Sequence, residues 1–133
     1  MYRSAKQRWG ALVFLSNLLF FLLPGVLYAA EYTWSPASGT VGVGAEVNVK
    51  ILVDPSAEKI NAVEGTVQFD KDTLTVVKIS KEGSAFSLWT ADPTFSNTDG
   101  TIIFSGGSPT PLESKGTVVT VTFKGKTEGI AAL

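Results

Sequence analysis

The chain has 133 residues, a formal net charge of −1, no cysteine and no histidine. The missing histidine removes the usual general base, zinc ligand and serine-triad partner, and the missing cysteine leaves a fold held by its core and hydrogen bonds alone. All 12 acids but only 8 of the 11 basic residues, every one a lysine, lie beyond Ala30, so that region carries −4 and no arginine, which argues against a nucleic-acid binder.

Arg3, Lys6 and Arg8 open the chain with positive charge and no acid. Ala11 to Leu23 follow as an apolar run broken only by Ser16 and Asn17. Pro24 and Gly25 stop it, and Ala29-Ala30 supply small residues before Glu31. Charged, apolar, then small is the order of a secretory signal, so residues 1–30 read as a signal peptide. Tyr28 and Leu27 fit the cleavage site less well, and an uncleaved anchor competes. Gly10 to Ala30 is long enough for the roughly 17–25 residues of a membrane span, with the positive end inside. Either way residues 31–133 face the outside, secreted or at the cell surface, as one domain.

From there the chain reads as strand after strand. Tyr32 to Ser35 is a short first strand stopped by Pro36; Ser38-Gly39-Thr40 and Gly42 to Gly44 read as turns. Glu46 to Val53 alternates strictly, with Val47, Val49, Ile51 and Val53 on one face. Ile60 to Phe69 is the next strand, with Val63, Gly65, Val67 and Phe69 on one face and Glu64, Thr66 and Gln68 on the other. Asp70-Lys71-Asp72-Thr73 turns the chain into Leu74 to Ser80, which is rich in β-branched residues.

Phe86 to Phe95 is less regular. Asn97-Thr98-Asp99-Gly100 predicts a hairpin turn into Thr101 to Ser105, where Ile103 faces away from Ile102 and Phe104. Gly106 to Lys115 reads as a long Gly/Pro/Ser loop, and Thr117 to Lys124 as a further alternating strand. Gly129 opens an apolar run to Leu133, so the reading expects the domain to lack its last strands. Short strands at intervals of about ten residues predict an all-β sandwich.

Two candidate sites follow from the residues themselves. Asp70 and Asp72 flank Lys71 and are candidate calcium ligands. The competing role is a turn in which Asp bonds its own backbone, and two acids are few for six or more oxygen positions. No metal site and no cofactor is therefore expected. Trp89 precedes Asp92-Pro93 and is a candidate for stacking on a sugar ring; the alternative is that Phe86 and Trp89 plug one end of the sandwich. Paired carboxylates for glycoside hydrolysis need a defined separation across a cleft, and no acid here stands in an apolar setting, so an enzyme is not expected.

The order of these pieces resembles the cohesin domain and its carbohydrate-binding-module relatives. The resemblance is carried by Asn61-Ala62-Val63-Glu64-Gly65-Thr66-Val67-Gln68-Phe69-Asp70, then Leu74 to Ser80, then Gly100 to Gly107 and Gly116 to Phe123. It covers Tyr32 to Leu133. It implies a jelly-roll β-sandwich that is C-terminally incomplete, because such a domain has about nine strands. It also implies non-catalytic binding of a dockerin-like partner on one sheet face. Carried over by strand, that face draws on Asn61, Glu64, Thr66, Gln68 and Ser105, with Val63 or Ile103 as an apolar anchor. The plainer alternative for each is a solvated sheet face. Direct polysaccharide binding through Trp89, or a structural spacer in a surface protein, remain the competing functions. Membrane contact would come only from an uncleaved N-terminus or an anchor beyond Leu133.

Overall fold

The computed structural model describes residues 30–128 and 130–132. The signal or anchor segment therefore lies, up to Ala29, outside the described residues. Nine strands are described: β1 (Glu31–Ser35), β2 (Ser38–Thr40), β3 (Glu46–Asp54), β4 (Ile60–Gln68), β5 (Leu74–Ser80), β6 (Leu88–Ser96), β7 (Thr101–Leu112), β8 (Gly116–Gly125) and β9 (Ile130–Ala132). They form a four-stranded sheet ordered β1-β3-β8-β5, a three-stranded sheet ordered β4-β7-β6, and a short β2-β9 pair. The strand pairings are antiparallel. The architecture is the all-β sandwich that the alternation predicts, in the jelly-roll form that the resemblance implies.

The core lies between the two large sheets. β3 contributes Val49, Ile51 and Val53, β5 Leu74 and Val76, and β8 Val119, Val121 and Phe123. Val63 of β4, Ile102 and Phe104 of β7, and the flanking Phe69 and Phe86 meet them from the other side. Phe123 is fully enclosed, with Phe69 edge-on at 5.3 Å and Trp34 tilted at 6.1 Å. A bulge pairs Ile51 with Val119 but Leu52 with Thr117. The extra residue, Val118, is buried together with Val119, as a bulge allows.

Three segments differ from the sequence expectation. Ser38–Thr40, expected as a turn, is strand β2; all three residues are exposed and β2 pairs through its backbone with β9. The irregular Phe86 to Phe95 stretch contains strand β6. Its register shifts twice, between Trp89 and Ala91 and between Ala91 and Thr94, so Pro93 falls in a shift on an edge strand where its missing N–H does no harm. The Gly106 to Lys115 loop is largely strand. β7 runs on to Leu112, but β6 pairs with it only as far as Gly107 and β4 skips from Gly107 to Leu112. Pro109 and Pro111 therefore sit where the ladder asks for no donor.

The β6–β7 turn also closes a sheet edge. β5 ends the four-stranded sheet, and an open edge is a site for unwanted pairing. Asn97 Oδ1 accepts the Val76 N–H at 2.8 Å, and its Nδ2 donates to the Val76 carbonyl at 3.0 Å. One side chain thus imitates a strand residue and ties the turn of one sheet to the edge of the other. Replacing Asn97 with Ala should cost about 1–3 kcal/mol for two hydrogen bonds, read from the urea midpoint. Asn97→Asp, which keeps the acceptor and loses the donor, should fall between the two.

Candidate functional site

The outer face of the β4-β7-β6 sheet is built in rows by cross-strand register. The pairings place Ala62, Gly107 and Leu88 in one row, and Glu64, Ser105 and Ala91 in the next. Thr66, Ile103 and Thr94 form a third, and Gln68, Thr101 and Ser96 a fourth. Period two makes this face: Val63, Ile102, Phe104 and Gly106 point inward, so their neighbours point out.

Four of the five residues singled out for the partner face come together there. Glu64, Thr66 and Gln68 are exposed, and Ser105 is half-buried beside them. Thr90 Oγ1 lies 3.0 Å from Ser105 Oγ and 3.2 Å from the Ser105 carbonyl, closing the gap left by the β6 bulge. Asn61 is exposed but lies in the register shift between Ile60 and Ala62, so Ala62 takes its place in the rows. Of the two apolar anchors, Ile103 is 50 % exposed at the centre of the face, whereas Val63 is 3 % exposed in the core. The alternation that sends Glu64 out sends Val63 in.

The face is built mostly of small side chains and is nearly uncharged. Glu64 is the one charged residue among the paired positions of its four rows. Asp92, in the β6 bulge, is already ion-paired with Lys81. Leu88 is 57 % exposed at one end. A shallow depression lies beside it, lined by Ala62, Glu64, Thr90, Ser105 and the Gly106–Gly107 backbone. Sequence reading did not find Ala62, Leu88, Gly107 or Thr94, because their membership depends on which strand lies beside which.

Trp89 lies on the opposite, inner side. It pairs with Gly106, and a Cβ on Gly106 would come within 2.9 Å of the indole. The indole N–H donates to the Phe86 carbonyl at 3.1 Å, and Lys81 Nζ lies 5.9 Å from the ring centroid. The ring is half-buried against the core, next to the fully enclosed Phe86.

Asp70 caps its own turn. Its Oδ1 accepts the Asp72 N–H at 3.0 Å, and its carbonyl accepts the Leu74 N–H at 2.9 Å. Lys71 lies 3.5 Å from the Asp72 carboxylate. Hydrogen bonding from Thr73, then from the Asp72 N–H, holds the Asp70 carboxyl below its ordinary value of 3.8. Among the described residues no group of three or more Asp, Glu, His or Cys side chains is placed to hold a metal ion.

The family model described as Cohesin domain matches residues 32–131. No curated protein sequence matches the chain. Among solved structures, the third cohesin of ScaC from Acetivibrio cellulolyticus, in complex with the ScaB dockerin, is similar at 21% identity and a TM-score of 0.52, over 74% of this chain and 71% of that one. The seventh ScaB type I cohesin from Pseudobacteroides cellulosolvens gives 21% identity and a TM-score of 0.52, over 75% and 67%. At these identities the likeness is one of fold.

The Asp70 turn yields a prediction with a definite sign. A carboxyl held low in the folded state stabilises the fold above its unfolded value, and that contribution is lost as pH falls through the folded value. Asp70→Asn should therefore have a lower urea midpoint than the parent at pH 7. The gap should close on acidification below the ordinary carboxylate range.

Proposed function

This chain belongs to the cohesin family, and we propose that it is a non-catalytic attachment module that holds a dockerin-like domain on the outer face of β4, β7 and β6. The observation that carries this reading is the composition of that face: small side chains, one charge, and Ile103 half-exposed at its centre. A similar fold, the ScaC cohesin, is described in complex with a dockerin. Burying the exposed part of Ile103 contributes about 1 kcal/mol, half of what full burial of such a side chain gives. The small side chains around it let a second surface approach closely.

The charged, apolar, small order of residues 1–30 supports export, as a cleaved signal or as an anchor. An extracellular or cell-surface assembly is the setting that fits. Asn61, Glu64, Thr66, Gln68 and Ser105 are the proposed contact residues, with Ile103 at their middle. Polysaccharide stacking on Trp89 has less support, because the ring covers Gly106 and its N–H is engaged.

The test is calorimetric titration of the chain against a panel of dockerin domains and against insoluble polysaccharides. Binding to at least one dockerin is expected, weakened ten-fold or more by Ile103→Asp. Binding to polysaccharide alone, abolished by Trp89→Ala, would overturn the attachment reading in favour of a sugar module.

A further inference from the structure

The eight lysines beyond Ala30 fall into two groups. Lys59, Lys71, Lys81 and Lys115 form ion pairs with Glu113, Asp72, Asp92 and Asp54, and Lys126 Nζ donates to the Lys71 carbonyl at 2.8 Å. Lys50, Lys78 and Lys124 have no such partner among the described residues. All three are exposed, and all three stand on the outer face of the β1-β3-β8-β5 sheet, the side of the sandwich away from Ile103.

Register sets them in consecutive rows. Glu46, Lys124 and Thr75 form the first, Asn48, Thr122 and Lys78 the second, and Ser35, Lys50, Thr120 and Ser80 the third. With rows about 6.8 Å apart and strands about 4.8 Å apart, the three lysine positions span roughly 15 Å. The groups between them are neutral donors. Thr122 Oγ1 donates to Asn48 Oδ1 at 2.7 Å, so the exposed Asn48 has its Nδ2 hydrogens left to offer. Ser80 Oγ accepts the Glu82 N–H at 3.1 Å, which leaves its O–H for a ligand. An open depression runs over Asn48, Lys78, Ser80, Thr120 and Thr122, with Glu82 at its rim. Glu46, across the ladder from Lys124, and Glu82 bound the patch with negative charge.

We propose that this face binds an acidic polysaccharide, a chain of uronate sugars, independently of the attachment face on the opposite side. Charge complementarity carries the inference. The region beyond Ala30 is negative by four charges, and its unpaired cations are gathered here. A uronan presents a carboxylate on each sugar with hydroxyl oxygens between, which matches ammonium groups separated by amide and hydroxyl donors. Other occupants match less. Phosphate polymers are gripped by arginine forks, backbone nests and helix N-termini; the region has no arginine, and the backbone of these rows is engaged in the ladders. Single-stranded nucleic acid calls for aromatic platforms, and no outward position of the three rows is aromatic. A protein partner would have to pin three long side chains, whereas a polyanion gains by releasing its counterions to cations that stay mobile.

The experiment is calorimetric titration of the full chain with polygalacturonate fragments. Binding is expected at low salt and should be lost towards about 1 M, where the Debye length falls to about 3 Å. Lys50→Gln and Lys78→Gln should each weaken it about two- to five-fold, the range of one exposed ion pair. Changing Lys50, Lys78 and Lys124 together to Gln should weaken it about ten-fold or more. Lys59→Gln, at a lysine already paired, and Ile103→Asp, on the other sheet, should leave it unchanged. Glu82→Gln should tighten it, a gain that no misfolded variant can give.

No binding at low salt, or a triple lysine variant that binds as the parent does, would overturn this inference. Poly-glutamate bound as tightly as polygalacturonate would also overturn it, because carboxylates without sugar hydroxyls would then suffice. So would loss of polygalacturonate binding on Trp89→Ala or Ile103→Asp with the lysine variants unaffected, which would move the ligand to the other sheet. The dockerin titration reads the opposite face, so failure here leaves the attachment reading standing.

Discussion

The proposed attachment face depends on a contact made beneath it, between Gly65 and Phe104. The two residues face each other directly across the β4–β7 ladder. A Cβ on Gly65 would lie 2.9 Å from the Phe104 ring, so the ring occupies the space that a side chain would fill. A slip of one residue would set Glu64 or Thr66 against Phe104 and turn the whole strand over. Glu64, Thr66 and Gln68 would enter a core that holds Val63 and Phe69. The glycine thus fixes register, and register fixes which residues the outer face presents.

Neighbouring groups reinforce that lock. Tyr32 packs edge-on to Phe104 at 5.5 Å, and its hydroxyl donates to the Glu64 carbonyl at 3.1 Å. This ties β1 of the four-stranded sheet to β4 of the other. Burial raises the Tyr32 phenol above its ordinary value. Gly106 and Trp89 repeat the arrangement one step along β7, a ring lying over a glycine. Two aromatic–glycine pairs therefore make up much of the inner side of the three-stranded sheet. They leave its outer side free to carry small side chains.

How much of this was legible in the sequence follows from the period of two. β3 and β4 keep their alternation in the sequence, and of the residues read onto one face of each, Val49, Ile51, Val53, Val63 and Phe69 lie in the core. The same alternation put Glu64, Thr66, Gln68 and Ile103 outward. It also contradicted Val63 as an anchor, since a residue next to Glu64 must turn inward. What was not legible depends on pairing. β2 has no buried face, so Ser38-Gly39-Thr40 carries no pattern and is a strand only because β9 lies beside it. The end of β7 hides behind two prolines that the ladder does not use. Ala62, Gly107 and Leu88 become neighbours only once β7 is known to lie between β4 and β6.

The two outer faces of the sandwich differ in what it costs to cover them. The four-stranded sheet presents rows such as Asn48, Thr122 and Lys78, or Lys50, Thr120 and Ser80. Its lysines are long, hydrated and mobile, and pinning each under a partner costs up to about 2 kcal/mol of side-chain entropy. The three-stranded face offers Ala62, Gly107, Thr66, Thr94, Ser105 and Ile103 at its paired positions. Glycine and alanine lose almost nothing on burial, and isoleucine only about 0.5–1 kcal/mol. Glu64 and Gln68 cost as much to pin as a lysine, so a partner on that side saves entropy at the other positions and must neutralise a single carboxylate. A partner on the other side would have to immobilise flexible cations for contacts that water already makes. The difference in side-chain entropy supports the proposal that attachment uses the face of β4, β7 and β6.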